Sequence, residues 1–175
     1  MEKSFLDIIS KIGKYCLSHG FTLSLAESVT SGYLQYLFSQ GEDSSLYFQG
    51  GITLYNNQQK FKQFGISPLL TQNNNGVSPL VTELLAKGAN LNFETDLGIG
   101  ITGYAYRDLD YNISQPHCYV AVALNNKIVY STKLEANSDS MQQNQKYFAS
   151  QCVSCIYNSL ITLNDLPDEK LFKKQ

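Results

Sequence analysis

Three hydroxyls, Ser28, Thr30 and Ser31, cluster in residues 23–32, which read Leu-Ser-Leu-Ala-Glu-Ser-Val-Thr-Ser-Gly. An apolar run that passes into small hydroxyl residues and then into a helical pattern predicts strand, tight turn and helix. Such a junction aims backbone N–H groups and the positive end of a helix at one small volume, which suits an anion or a developing oxyanion. A serine on that turn stands clear of the sheet, as many hydrolase nucleophiles do. The same residue types also cap helices, so plain capping stands beside the nucleophilic reading. The Gly-x-Ser-x-Gly elbow itself is absent.

The elements that must position these groups follow from the rest of the chain. At 175 residues, 43% hydrophobic with 12 Tyr and 9 Phe, the chain fits one domain with a sizeable core. The domain is expected over residues 1–164, followed by a charged tail at 165–175. A formal charge of −2 gives no general attraction to nucleic acid or to an anionic membrane, so neither is expected as a partner. The first residues carry acidic side chains and then a periodic pattern, unlike a signal peptide, and no apolar run approaches the roughly 20 residues that span a bilayer. A cytoplasmic location is expected.

Cys16, Cys118, Cys152 and Cys155 are too scattered for a disulfide scaffold, and the Cys152-x-x-Cys155 pair lies inside a helical pattern with no second pair to complete a zinc site. Reduced core cysteines and no metal are expected.

In chain order, apolar residues at helical spacing predict a first helix over 4–18, stopped by Gly20, and a strand over 21–26. A helix over 33–39 follows, then a strand over 52–55 after the pair Gly50-Gly51, and a short helix ending near Gly65. Residues 71–76 read as an exposed loop, and Ser78-Pro79 as the cap and first turn of a helix with Leu80, Val81, Leu84, Leu85 and Ala89 on its apolar face. Residues 97–102 predict a strand ending in Thr102-Gly103, and residues 107–115 a polar loop. Runs at 118–124 and 128–134 joined by Asn125-Asn126 predict a hairpin, and residues 139–160 a last helix. Helices interleaved with strands, plus one hairpin, predict a three-layer α/β/α domain with a mixed, largely parallel sheet. Strand ends in such sheets gather into ligand crevices.

Several segments together resemble the CinA C-terminal domain family, the nicotinamide mononucleotide deamidases. The family's Ala-Glu-Ser-Cys-Thr-Gly-Gly appears as Ala26-Glu27-Ser28-Val29-Thr30-Ser31-Gly32, and its Tyr-Phe-x-Gly-Gly as Tyr47-Phe48-Gln49-Gly50-Gly51. Its Tyr-Ser-Asn-x-x-Lys appears as Tyr55-Asn56-Asn57-Gln58-Gln59-Lys60, its Ala-Val-Ser as Gly76-Val77-Ser78, and its Thr-Gly-x-Ala as Thr102-Gly103-Tyr104-Ala105. The resemblance implies hydrolysis of the carboxamide of nicotinamide mononucleotide to nicotinate mononucleotide and ammonia. It also implies no metal, no cofactor and a homo-oligomer, a dimer.

Carried over by position, the nucleophile falls on Ser28, with Tyr55, Lys60 and Thr102 as its catalytic companions. Substrate contacts fall on Glu27, Thr30, Ser31 and Gly32 of the first motif, and on Gly51, Asn57 and Gly103. The chemistry fits these types. Neither His19 nor His117 lies in a matched motif, and a desolvated lysine can take a serine's proton in place of histidine. Tyr55 can relay that proton or protonate the leaving ammonia. Turn amides near residues 30–32, assisted by Thr102, can meet the oxyanion. Read without the family, Tyr55 is equally a packing residue of a rim, Lys60 a surface lysine and Thr102 a cap.

Beyond substitutions inside these motifs, such as Val29 for Cys and Ser31 for Gly, the sequence departs from the family at three places. Tyr106-Arg107 stand where it continues Gly-Pro, His117-Cys118 where it has Gly-Thr, and Gln142 near where it carries an arginine suited to phosphate. Arg107 is the candidate replacement for that phosphate contact. Two readings follow: an active amidohydrolase, and a catalytically reduced relative that binds a nucleotide or a protein.

Overall fold

Leu23–Glu27 forms β1, buried at all five positions, at the centre of the parallel half of a five-stranded sheet ordered β2-β1-β3-β4-β5. The computed structural model describes residues 2–164, with the backbone alone for residues 2–4, 110 and 164; the expected charged tail at 165–175 lies outside the described residues. β2 (Phe48–Thr53) and β3 (Leu97–Tyr104) flank β1 and run parallel to it. β4 (His117–Leu124) runs antiparallel to β3, and β5 (Lys127–Glu135) antiparallel to β4. Asn125 and Asn126 join the last two strands with φ of 49° and 63°, the left-handed pair that a two-residue hairpin needs and asparagine tolerates. The expected α/β/α architecture with a mixed sheet is the one found.

Helices cover both faces. α1 (Glu2–His19), α2 (Tyr33–Ser39), α3 (Ser44–Tyr47) and the long α7 (Met141–Asn164) pack on one side over the main core, where Ile9, Phe38, Ile99, Val120, Phe148 and Ile156 are buried. α6 (Pro79–Phe93) covers the other side, with Val81, Leu85 and Ala89 against Ala26 and Leu54. Ser78 caps α6, its hydroxyl accepting from the Val81 amide at 3.2 Å, with Pro79 in the first turn. α6 lies almost on the backbone of β3. A Cβ placed on Gly98 would come within 2.1 Å of the Ala86 carbonyl oxygen, and one on Gly100 within 2.2 Å of that of Thr82.

The structure extends several expected boundaries. β2 begins at Phe48, so Gly50 and Gly51 lie inside the strand; the β1–β2 register shifts by one residue between Leu23 and Ser24, and Gly50 sits there at φ 114°. β3 continues past Thr102 to Tyr104, and α7 runs on to Asn164. α4 (Asn57–Phe64) is the expected short helix ending at Gly65, whereas α3 and α5 (Pro68–Thr71) were not marked in the sequence. The polar loop after β3 contains a 3-10 turn, Leu109–Tyr111. All four cysteines are buried and free. Among the described residues no helix is long and apolar enough to cross a membrane.

Candidate active site

A cleft of about 160 Å³ opens at the carboxyl ends of β1 and β3, lined by Ser28 and Val29, by Tyr55 and Lys60, by residues 103–106, and by Asn75, Val77, Met141 and Gln145. In an open α/β sheet this is where the strand topology leaves a crevice. Three of the four expected catalytic side chains, Ser28, Tyr55 and Lys60, therefore share one space although 32 positions separate the first from the last.

Ser28 follows β1 directly, and its N–H donates to the Ile101 carbonyl at 3.0 Å, prolonging the β1–β3 ladder by one bond. The chain then reverses through Ser31 and Gly32, at φ 51° and 92°. Ser28 is 7% exposed, and its hydroxyl carries no hydrogen bond to the described residues. The N–H groups of Val29, Thr30 and Gly32 are likewise uncommitted among the described residues. Capping by the hydroxyls of this turn does not occur: the N-cap of α2 is Gly32, with no side-chain bond.

The carboxylate of Glu27 does that work from beneath. It accepts from the Thr30 hydroxyl, from the amides of Leu34 and Gln35 at 3.2 Å each, and from the Gln35 side chain at 2.8 Å. The anion that the start of α2 invites is thus an internal one, fully buried. Glu27 and Thr30 hold the turn's shape below the cleft and do not line it. Ser31 stays exposed outside it and accepts from Gln145 at 3.2 Å, and Gln145 does line it.

Lys60 is the one buried residue of α4, only 1% exposed. Asn56 caps the helix by accepting from the Gln59 amide at 3.0 Å, and Gly65 closes it at φ 66°. The stem of Lys60 runs under the loop at Gly76. Its ammonium has no carboxylate and no hydrogen-bond partner among the described residues, and burial pulls its pKa from 10.5 down to about 8. Tyr55, at 63% exposure, forms the outer rim.

The loop over Lys60 is pinned by two hydroxyls of β3. Thr102, fully buried, donates to the Gly76 carbonyl at 3.2 Å, and Tyr104 donates to that of Asn74 at 2.9 Å. Thr102 therefore sits behind the cleft and faces a backbone carbonyl. Asn57 is also behind it, its amide 3.4 Å from both the Thr71 carbonyl and Asn75, with its own carbonyl oxygen buried and unpartnered. Gly103 lines the cleft, whereas Gly51 lies in β2 where a Cβ would come within 2.7 Å of the Leu25 carbonyl oxygen. Arg107 lies outside the lining, half-exposed and 3.7 Å from Asp139.

The sequence did not single out Asn75, Met141 and Gln145. Asn75 reaches the cleft because it adopts φ 50° before Gly76 at φ 72°, a bend that the run Asn73-Asn74-Asn75-Gly76 permits. The first turn of α7 is set against the β3 loop by buried Asn144, which donates to the Ala105 and Ser138 carbonyls at 2.8 Å each. Gln145, not Gln142, then faces the cleft. His117 lies outside the cleft, its Nδ1 2.9 Å from the Gln115 carbonyl oxygen, and no group of metal-ligating side chains occurs among the described residues.

The model of the family described as the CinA C-terminal domain matches residues 6–160. Protein MG115 of Mycoplasma genitalium is 28% identical over 156 residues, 89% of this chain and 96% of that protein. A CinA-like protein of Synechocystis is 39% identical over 98 residues, 56% of this chain and 24% of its own length, so the chain spans about a quarter of this and several other curated relatives. Among solved structures, the competence or damage-inducible protein of Enterobacter asburiae superposes with a TM-score of 0.83 at 18% identity, covering 89% of this chain and 98% of that one. A CinA superfamily protein of Klebsiella pneumoniae gives 0.82 at 16% identity, with 90% and 98% covered. These likenesses show the same fold. With the family model spanning most of the domain, the chain belongs to the CinA C-terminal domain family.

Proposed function

We propose that the chain is an amidohydrolase that hydrolyses the carboxamide of nicotinamide mononucleotide, releasing nicotinate mononucleotide and ammonia. One observation carries this reading: a buried lysine without a counter-charge opens onto the same cleft as an unengaged serine at a strand-to-helix turn. A lysine held near neutrality by desolvation is suited to accept a proton from a hydroxyl.

In the proposed sequence the Ser28 oxygen attacks the carboxamide carbon as its proton passes to the Lys60 amine. The carbonyl oxygen becomes an oxyanion, met by the uncommitted amide of Val29 in the cleft's lining; one such donor is typically worth about 3 kcal/mol. The carbon–nitrogen bond then breaks, and the nitrogen leaves as ammonia with the proton returned by Lys60, directly or through the Tyr55 phenol. Water, deprotonated by Lys60, releases the acid from Ser28. Thr102 contributes by fixing the loop over Lys60, a positioning role.

Ammonia release from nicotinamide mononucleotide tests the proposal. Native chain is expected to turn over, with Ser28→Ala slower by about 1,000-fold or more. Equal rates for the two would contradict it. A mononucleotide-dependent thermal shift with no ammonia from native chain would favour the binding-only reading instead.

A further inference from the structure

We infer that the cleft recognises an uncharged or cationic aromatic carboxamide and makes no use of a phosphate, so that the dephosphorylated nucleoside serves as well as the mononucleotide. This rests on the amidohydrolase reading and concerns which part of the substrate that site grips.

Charge is the first observation. Lys60 is the one cation among the residues lining the cleft, and no carboxylate joins it there. A dianion beside Lys60 would hold the amine protonated and so remove the base the reaction needs. Binding the phosphate and performing the chemistry thus compete for the same nitrogen. The chain has a single arginine among its 175 residues, Arg107, and this lies outside the lining, beside Asp139 at 3.7 Å. Lys146, one turn into α7, faces a separate groove on the other side of that helix.

The rest of the lining suits the opposite kind of ligand. Tyr55, Tyr104 and Tyr106 supply three aromatic side chains at the mouth, and Asn75, Met141 and Gln145 complete a neutral wall. Asp108 lies close enough to act electrostatically on the Tyr104 phenol, which puts a negative charge beside this rim. A pyridinium ring gains from aromatic faces and from that field, whereas a phosphate is repelled by it. Val29 and Ala105 supply apolar floor.

A phosphate gripped by a charged hydrogen bond contributes about 10- to 100-fold in affinity. Its absence from recognition has a direct readout. Ammonia release should be followed with nicotinamide mononucleotide and with its nucleoside, and both should be titrated calorimetrically onto the Ser28→Ala chain. The expected result is a kcat/KM for the nucleoside equal to or above that for the mononucleotide, within about threefold, with matching affinities and a ratio that added salt does not change. A preference of about tenfold or more for the mononucleotide, in either measurement, overturns the inference while leaving the amidohydrolase reading intact. Loss of that preference in Arg107→Ala would then place the phosphate on Arg107. If neither compound releases ammonia, the amidohydrolase reading fails; equal affinities would still support recognition without phosphate, and no binding of either would overturn it.

Discussion

An amine buried without a counter-charge opposes folding for as long as it stays protonated, and Lys60 is in that position. Its pKa in the folded chain is about 8 against 10.5 unfolded. Below pH 8 both states hold the proton, and the folded state bears the full penalty, about 3 kcal/mol. Between 8 and 10.5 the unfolded state binds more protons than the folded one, so this contribution to stability rises with pH until the penalty is gone. Lys60→Met keeps the length of the stem and removes the charge. It should raise Tm at pH 7 by several degrees, with the gain over native chain shrinking as pH rises toward 10.5. Cys16, whose thiol is pushed up to about 12, loses its stabilising protonation equally in both chains and cancels from the difference. Thermal unfolding across this range is the check, and a variant less stable than native at pH 7 would contradict the account. The family motif that Lys60 shares with Tyr55 marked it as a candidate, but its burial was not legible, because the cover comes from a loop centred 16 positions later.

At the scale of elements, the cleft depends on how closely α6 approaches β3. Gly98 and Gly100 bring helix and strand together on a surface where neither position has room for a methyl group. Gly100→Ala would drive a Cβ into the Thr82 carbonyl, so the helix must move away from the strand that carries Thr102 and Gly103. The expected loss is about 2 kcal/mol or more in urea unfolding, and an unchanged midpoint would show that the layers are looser than this contact implies. The alternation of Leu97, Ile99 and Ile101 already marked a strand, and Asn125-Asn126 a hairpin, because those signals are local. The start of β2 was not legible: pairing with β1 carries the strand back through two glycines that the local pattern places before it. The facing residue of α7 was missed for a related reason. Gln142 and Gln145 differ by roughly 60° around a helix, and the choice between them is made by Asn144 holding the β3 loop.

Across the whole molecule, β1, β2 and β3 end at one edge, and the segments leaving them supply Ser28, Tyr55 and residues 103–106 to a single cleft. The sequence marked these segments one at a time; their convergence is a property of strand order. The same edge explains why Glu27 and Thr102, expected at the substrate, lie beneath the cleft and outside its lining, since side chains alternate along a strand and only some reach the crevice. The claim on which the account turns is that Lys60 makes the Ser28 oxygen nucleophilic, and this can be measured without knowing the substrate. Native chain and Lys60→Met should be treated with a fluorophosphonate over a range of pH and the adduct located by peptide mass spectrometry. The account predicts one adduct, on Ser28, forming faster as pH rises through about 8 and slower by about 100-fold or more in Lys60→Met. An adduct that forms equally fast in both chains, or none on Ser28, would contradict it.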